Sequence, residues 1–280
     1  MRIESKNFPG VIEPMLALII PVFNDFSGLV ASLNSIYISV PHVVFIVDDG
    51  SDVPVSKFRL QRLIPPCLNV EVISQSENTG IVAALNRGLR AVLDISSIKY
   101  IARLDAGDIC HPLRFAEQMH LMDNDAKLGI VGTWACFIDA VSGSRSHVWE
   151  PPLDDGNIRK KMHQNVCFIH PSWMVRRGAI ESVGLYSDIY LAAEDYDLSM
   201  RILQRFHGCN IPNYYVTCTT NDAGISHSMR KIQLFSRARI QLRYFDFGLM
   251  DSYVGIFKTA ILLLLPYKTY RFLRSSMSPL

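Results

Sequence analysis

The chain lacks any C-x-x-C pair: its six cysteines, Cys67, Cys110, Cys136, Cys167, Cys209 and Cys218, lie scattered through 280 residues. That spacing argues against a zinc site or a disulfide framework and fits a reducing compartment. An excess of one charge is lacking too. The 28 Lys and Arg against 26 Asp and Glu leave a net +2, too small to make an electrostatic case for nucleic acid. Met1 to Gly10 holds Arg2, Glu4 and Lys6 and no apolar stretch, so it does not read as a signal peptide. The longest apolar run, Val254 to Leu265, is interrupted by Lys258 and stopped by Pro266. It falls short of the ~20 residues that cross a bilayer, and we expect a cytoplasmic protein. No internal repeat or low-complexity tract is present. After the first apolar run there is no G-x-G-x-x-G, which sets aside a nicotinamide enzyme. Pro21-Val22-Phe23-Asn24 stands there instead. It is also not the glycine-rich basic loop with which a sugar-nucleotide pyrophosphorylase would hold a triphosphate.

What is present is 49% apolar and 19% charged residues, enough for one large core with an appendage. Leu16 to Ile20, Val43 to Val47, Val70 to Ile73 and Lys99 to Leu104 read as buried strands. Between them, Phe26, Leu29, Val30, Leu33, Ile36 and Tyr37 fall at helical spacing. So do Ile81, Ala84, Leu85, Gly88, Leu89 and Val92, with Asn78-Thr79-Gly80 as their start signal. Strands alternating with helices predict an α/β fold with a mainly parallel sheet. Further on, Gly129 to Trp134 reads as a strand, residues 142–157 as a loop and Val166 to Val175 as extended. Glu194 to Phe206 reads as a helix burying Leu198, Ile202 and Leu203.

In such sheets polar ligands sit beyond the carboxyl ends of the strands, and three of these ends are acidic or polar. Asp48-Asp49-Gly50-Ser51 follows the second strand. A carboxylate there accepts a uracil N3–H or a ribose hydroxyl, or merely closes an Asx turn. Asp105-Ala106-Gly107-Asp108 follows the fourth. Its carboxylates suit a hard divalent cation that bridges to a diphosphate and offsets charge on the leaving group. Alternatively, Asp108 caps a helix starting near His111-Pro112-Leu113. Glu194-Asp195 opens a helix. It could take a proton from an attacking hydroxyl, or simply satisfy the macrodipole. The helix N-terminus lowers a carboxylate's pKa, so for a base position would count above basicity. His170 reads equally as a buried structural histidine, and Arg103 and Asn78 as phosphate or nucleotide contacts or as structural hydrogen-bonders.

The order Leu18-Ile19-Ile20-Pro21-Val22-Phe23-Asn24, Val47-Asp48-Asp49-Gly50-Ser51, Asn78-Thr79-Gly80, Arg103 to Asp108, His170-Pro171-Ser172 and Ala193 to Leu198 resembles family 2 glycosyltransferases of the GT-A fold. The resemblance covers residues 14–206 and implies a GT-A nucleotide-binding sandwich over 14–227, with a helical extension at 228–280. It implies an inverting transfer from a nucleoside-diphosphate sugar, a UDP-sugar by family habit, to a saccharide or lipid-linked saccharide acceptor in cell-surface polysaccharide synthesis. Asp49 would contact the nucleobase, flanked by Asp48 and walled by Pro21 and Phe23. Asn78, Arg103 and Asp105 would lie along the nucleotide. Asp195 would be the catalytic base, with His170 and Glu194 near donor sugar or acceptor. The family's usual string is Asp-Ala-Asp-Asp, whose third position often binds Mg²⁺ or Mn²⁺. Gly107 there either removes the cation or shifts it to Asp108 or Asp105 through water. A member that binds a nucleotide sugar, or a partner, without turnover is the alternative that Gly107 favours. Family members often carry a histidine before a Ser-x-Ser pair; here Asn221 precedes Gly224-Ile225-Ser226, with His227 nearby. The tail mixes Arg237, Arg239, Arg243, Lys268, Arg271 and Arg274 with the Val254–Leu265 run. It suits a helix on the anionic cytoplasmic face of a membrane, one packed on the domain, or a dimer interface.

Overall fold

The first strand explains the architecture. β1 (Leu16–Val22) is apolar throughout and buried at every position, the mark of a strand covered on both faces. Because side chains alternate across a strand, Leu16, Leu18, Ile20 and Val22 enter one core with Leu29 and Leu33 of α1 (Phe26–Ser35) and Phe115 of α4 (Arg114–Asn124). Ala17 and Ile19 enter the opposite core with Ala84, Leu85, Leu89 and Val92 of α3 (Ile81–Leu93) and Leu198 and Ile202 of α7 (Glu194–Leu203). Truncating a side chain such as Leu18, fully buried here, to alanine costs about 2–5 kcal/mol.

A computed structural model describes residues 13–190, 192–220 and 229–265. β2 (His42–Asp48), β3 (Val70–Ser74) and β4 (Tyr100–Arg103) join β1 in parallel, in the order β3-β2-β1-β4. A short helix α2 (Lys57–Leu60) precedes β3. The sheet continues through β8 (Met174–Arg176), β6 (Leu128–Asp139), β9 (His207–Thr220) and β5 (Ile109–Cys110), and β7 (Arg145–Trp149) adds to β6. β9 is parallel to β6, whereas β8, β7 and β5 pair antiparallel with their neighbours. The parallel α/β core expected from the sequence is therefore present, with a second half of mixed parallel and antiparallel pairing.

That second half departs from expectation. Residues 142–157 are not a plain loop: they hold β7, and α5 (Asp155–Met162) begins behind its N-cap Asp154. Polar Arg145, Ser146 and His147 hide β7 from a hydrophobicity reading, because the strand is largely exposed. Val166 to Val175 is not continuously extended: Pro171 helps set a 3₁₀ turn at His170–Ser172, and only β8 follows as strand. β9 and α6 (Arg177–Val183) were not anticipated. α7 ends at Leu203, short of Phe206. In the tail, α8 (Arg230–Arg243) and α9 (Met250–Leu264) pack on each other. No helix among the described residues is long and apolar enough to cross a membrane. Met1 to Gly10, Asn221, Gly224, Ile225, Ser226, His227, Pro266, Lys268, Arg271 and Arg274 lie outside the described residues.

Candidate active site

Strand order reverses between β1 and its neighbours β2 and β4, the switch point beyond which α/β sheets hold ligands. A cleft of about 960 Å³ opens there. Its wall from β1 is Pro21, Val22 and the half-exposed Phe23. Asn24 follows in a left-handed turn (φ 53°) and staples the β1 and β2 ends: its backbone N–H donates to Ser51 Oγ (2.9 Å) and its Oδ1 accepts from the Asp52 N–H (2.9 Å).

The two aspartates after β2 divide their work. Asp48 is fully buried and accepts from the backbone N–H groups of Ser51 (3.0 Å) and Val55 (2.8 Å), so it closes its own turn and stands behind the cleft. Asp49 lines the cleft. Its Oδ1 accepts from Gln75 Nε2 (2.6 Å) and from the N–H and Oγ1 of Thr79 (both 3.0 Å), and its Oδ2 from the Gly80 N–H (2.9 Å). Each carboxylate oxygen offers about two acceptor sites; Oδ1 is saturated by its three donors, whereas Oδ2 takes only one, so one lone pair on Oδ2 stays available to a ligand. Gly50 makes this possible. Its φ is +76°, and a Cβ there would lie 2.3 Å from the Glu77 carbonyl carbon. Asn78 sits on the loop thus drawn in, its Oδ1 accepting from the Gly80 N–H (3.1 Å).

Across the cleft floor a buried cation meets three carboxylates. Arg103, at the end of β4, donates from Nε to Asp105 (2.8 Å) and from its guanidinium to the His170 ring. Burial works against this cation, but Asp105, Tyr186, Glu194 and Asp195 outweigh it, and its pKa is raised. His170 is held well below the usual imidazole range by burial and by Arg103, so it is neutral. Its Nε2 bonds to the Tyr186 hydroxyl (2.7 Å), and it packs on Trp173 at 4.5 Å between ring centroids. Glu194 is buried behind it, 3.9 Å from His170 Nδ1. Asp195 reaches the cleft itself. The lowered pKa expected from the helix terminus is reversed: burial, then the neighbouring Glu194, push Asp195 up to about 7. Burial also raises Glu194.

Asp108 does not cap a helix. Its Oδ1 accepts from the Thr219 N–H of β9 (3.0 Å), and burial followed by Asp105 pushes its pKa up to about 7. Among the described residues no three His, Cys, Asp or Glu groups gather as a metal site. Gly107 adopts φ +92°, and a Cβ there would stand 3.4 Å from Asp25 Oδ2, so an aspartate at this position would be strained and repelled. The two remaining carboxylates, Asp105 and Asp108, share the cleft, and Asp105 disfavours the charge of Asp108. That pair fits Mg²⁺ or Mn²⁺, which is bound through one or two carboxylates when substrate phosphates complete the shell.

Pro21, Phe23, Asp49, Asn78, Asp105, Asp108, His170 and Asp195 thus share one cleft, while Asp48, Arg103 and Glu194 support it from behind. Several contributors escaped the sequence reading. Asp25, the N-cap of α1, accepts from the Gly28 N–H (2.9 Å) and lines the cleft; its place before an apolar helix was the available signal. Arg114 is fully buried and donates to the carbonyls of Arg103 (2.7 Å) and Trp173 (3.1 Å), and Gln118 to those of Val131 and Ser172 (both 2.8 Å). These two side chains of α4 lock β4, β6 and the His170 turn together. Trp149 of β7 and Gln233, Leu234 and Arg237 of α8 close the far wall.

Residues 17–184 match the model of the family described as Glycosyl transferase family 2. The chain is 23% identical over 277 residues to the amylovoran biosynthesis glycosyltransferase AmsE of Erwinia amylovora, covering 92% of this chain and 97% of that protein. It is 34% identical over 113 residues to the O-antigen biosynthesis glycosyltransferase WbnJ of Escherichia coli, covering 39% and 42%. Among solved structures, the mannosyltransferase PcManGT of Pyrobaculum calidifontis in complex with GDP-Man and Mn²⁺ superposes with a TM-score of 0.60 at 16% identity, covering 91% of this chain and 71% of that one. S. aureus TarS in complex with UDP-GlcNAc gives 0.59 at 14%, covering 86% and 69%. The fold is that of these GT-A enzymes, and the family match spans more than half of the sequence: the chain belongs to glycosyl transferase family 2.

Proposed function

We propose that this glycosyltransferase is inverting, that it takes its sugar from a nucleoside-diphosphate sugar, and that it works in cell-surface polysaccharide synthesis. The observation that carries the reading is Asp195, a partly buried carboxylate whose pKa is pushed up to about 7, in the same cleft as Asp49 and Asp105. A base with a pKa near the working pH is best matched to its task. Asp195 accepts the proton of the acceptor hydroxyl. The oxygen attacks the anomeric carbon from the face opposite the diphosphate, the bond to the diphosphate oxygen breaks, and the configuration inverts. The free lone pair of Asp49 Oδ2 receives a base or ribose donor, and Phe23 and Pro21 wall the base. A divalent cation on Asp105 and Asp108 would supply charge neutralisation for the departing diphosphate. Relatives named for amylovoran and O-antigen biosynthesis support the polysaccharide setting.

The test is a panel of UDP-, GDP- and dTDP-sugars offered with lipid-linked and free saccharide acceptors. Proton NMR of the product reads its anomeric configuration. Inversion relative to the donor is expected; a retained configuration overturns the mechanism. Gly107 favours a second reading, a member that binds nucleotide sugar without turnover. Nucleotide binding with no transfer or donor hydrolysis across the panel would establish it.

A further inference from the structure

α9 is built the wrong way round for a helix that packs on a protein core. Its buried stripe is small and polar: Ser252 is 2% exposed and Thr259 1%, with Gly255 between them. Its outward stripe is large and apolar: Met250, Tyr253, Phe257, Ile261 and Leu264 fall within an arc of about 80° at 100° per residue, and all are exposed, Leu264 at 84%. Phe247, just before the helix, adds to the same surface at 83%. Exposed apolar patches of this kind mark an interaction face, whereas single exposed side chains do not.

The orientation is fixed from below. Ser252 Oγ bonds to His163 Nδ1 (2.9 Å), and Thr259 Oγ1 donates to Gln241 Oε1 (2.8 Å). A Cβ on Gly255 would come within 2.0 Å of the His163 carbonyl oxygen. Turning the helix to bury Phe257 would strip both hydroxyls of their partners and drive bulk into that contact.

Charge identifies what covers the face. Residues 230–280 carry nine Lys and Arg against two Asp, a net +7 on a chain whose total is +2. From Ser252 to the end there are Lys258, Lys268, Arg271 and Arg274 and no acidic residue. A second copy would bring the same charge to the interface. The seam Met250, Tyr253, Phe257, Ala260, Leu264 is also flanked by Val254, Ile256, Ile261 and Leu263, not by the charged pairs that set a coiled-coil partner. At 15 residues the helix is about 22 Å long, too short to span a bilayer and suited to lying in its surface.

We propose that α9 docks this chain on an anionic lipid surface, its apolar stripe inserted at the headgroup boundary. α8 carries the consequence to the cleft: Gln241 holds α9 while Gln233, Leu234 and Arg237 line the cleft wall. Docking therefore leaves α8 as the link between the helix on the bilayer and the wall of the cleft. The inference stands apart from the catalytic reading.

The experiment is flotation of the full chain with vesicles of equimolar phosphatidylcholine and phosphatidylglycerol, against phosphatidylcholine alone. Preferential flotation with the anionic vesicles is expected, reversed by salt, and a Phe257→Asp/Leu264→Asp variant should partition at least ~10-fold less. Its thermal midpoint and nucleotide affinity should match the parent. A Phe257→Cys chain carrying an environment-sensitive dye should shift to the blue on the anionic vesicles, independent of the charged variant's folding. Equal binding to both vesicle types, no binding to either, or a dimer by light scattering that the double variant dissolves would each overturn the proposal.

Discussion

Replacing Asp195 by asparagine should make the protein more stable and inactive at once. The ordinary carboxyl ionises near 3.8, whereas burial and Glu194 hold the folded Asp195 proton to about 7. Between those values the folded state binds more protons than the unfolded one. Stability gained from this group is therefore full below pH ~4 and lost as pH rises through ~7. At ~1.4 kcal/mol per pH unit the loss would be about 4–5 kcal/mol, and about 2–4 kcal/mol once the solvated edge facing the cleft is allowed for. Asparagine carries no charge to desolvate and removes the repulsion felt by Glu194. The assay is urea unfolding at pH 4.5 and pH 8.5 beside single-turnover transfer. The variant should match the parent at the lower pH, exceed it by about 2–4 kcal/mol at the higher, and transfer sugar at least ~100-fold more slowly. A variant less stable than the parent at pH 8.5, or one that retains turnover, would refute the reasoning.

The same carboxyl sets a pH profile: kcat/KM should rise with pH along a single-proton limb near 7 as Asp195 ionises, and a flat profile from pH 5.5 to 8.5 would remove it as base. Gly50→Ala must abandon φ +76° and push back the Glu77–Asn78 peptide that Asp49 holds. It should cost about 1–3 kcal/mol and weaken nucleotide binding at least ~10-fold, measured by denaturation and calorimetry. Asp108→Asn should abolish the strengthening of nucleotide binding by Mn²⁺ while leaving binding in EDTA unchanged, which equilibrium dialysis reads directly. Arg114→Met leaves the carbonyls of Arg103 and Trp173 without their buried donor. It should lower stability by about 2–4 kcal/mol by urea titration.

The parallel half of the fold was legible because its strands are buried on both faces and its helices present clean apolar stripes. β1 and α3 could be read residue by residue. The mixed half was not: β7 is polar because solvent covers it, and β9 holds Gly208, Asn210, Pro212 and Asn213, which read as turn residues rather than strand. For the site, strand-end carboxylates were visible as types in order, but not their division of labour. Asp48 serves its own turn while Asp49 serves the 75–80 loop, a distinction made by hydrogen bonds 26 to 31 residues apart in sequence. The pKa of Asp195 was misjudged for a similar reason. The helix terminus is written in the sequence, whereas the burial and the Glu194 neighbour that outweigh it depend on the tertiary fold. Arg114 and Gln118 drew no reading at all, because the four carbonyls they hold, those of Arg103, Trp173, Val131 and Ser172, are gathered only by the tertiary fold.

The central claim is that the cleft between Asp49, Asp105 and Asp195 binds a nucleoside diphosphate with a cation at Asp105 and Asp108. It is tested most directly by calorimetric titration of UDP, GDP and dTDP into the purified chain, each with Mn²⁺, with Mg²⁺ and with EDTA. The account predicts that one nucleotide binds, more tightly with metal, and that Asp49→Asn weakens it at any metal level. No binding of any nucleotide under any of these conditions would contradict it.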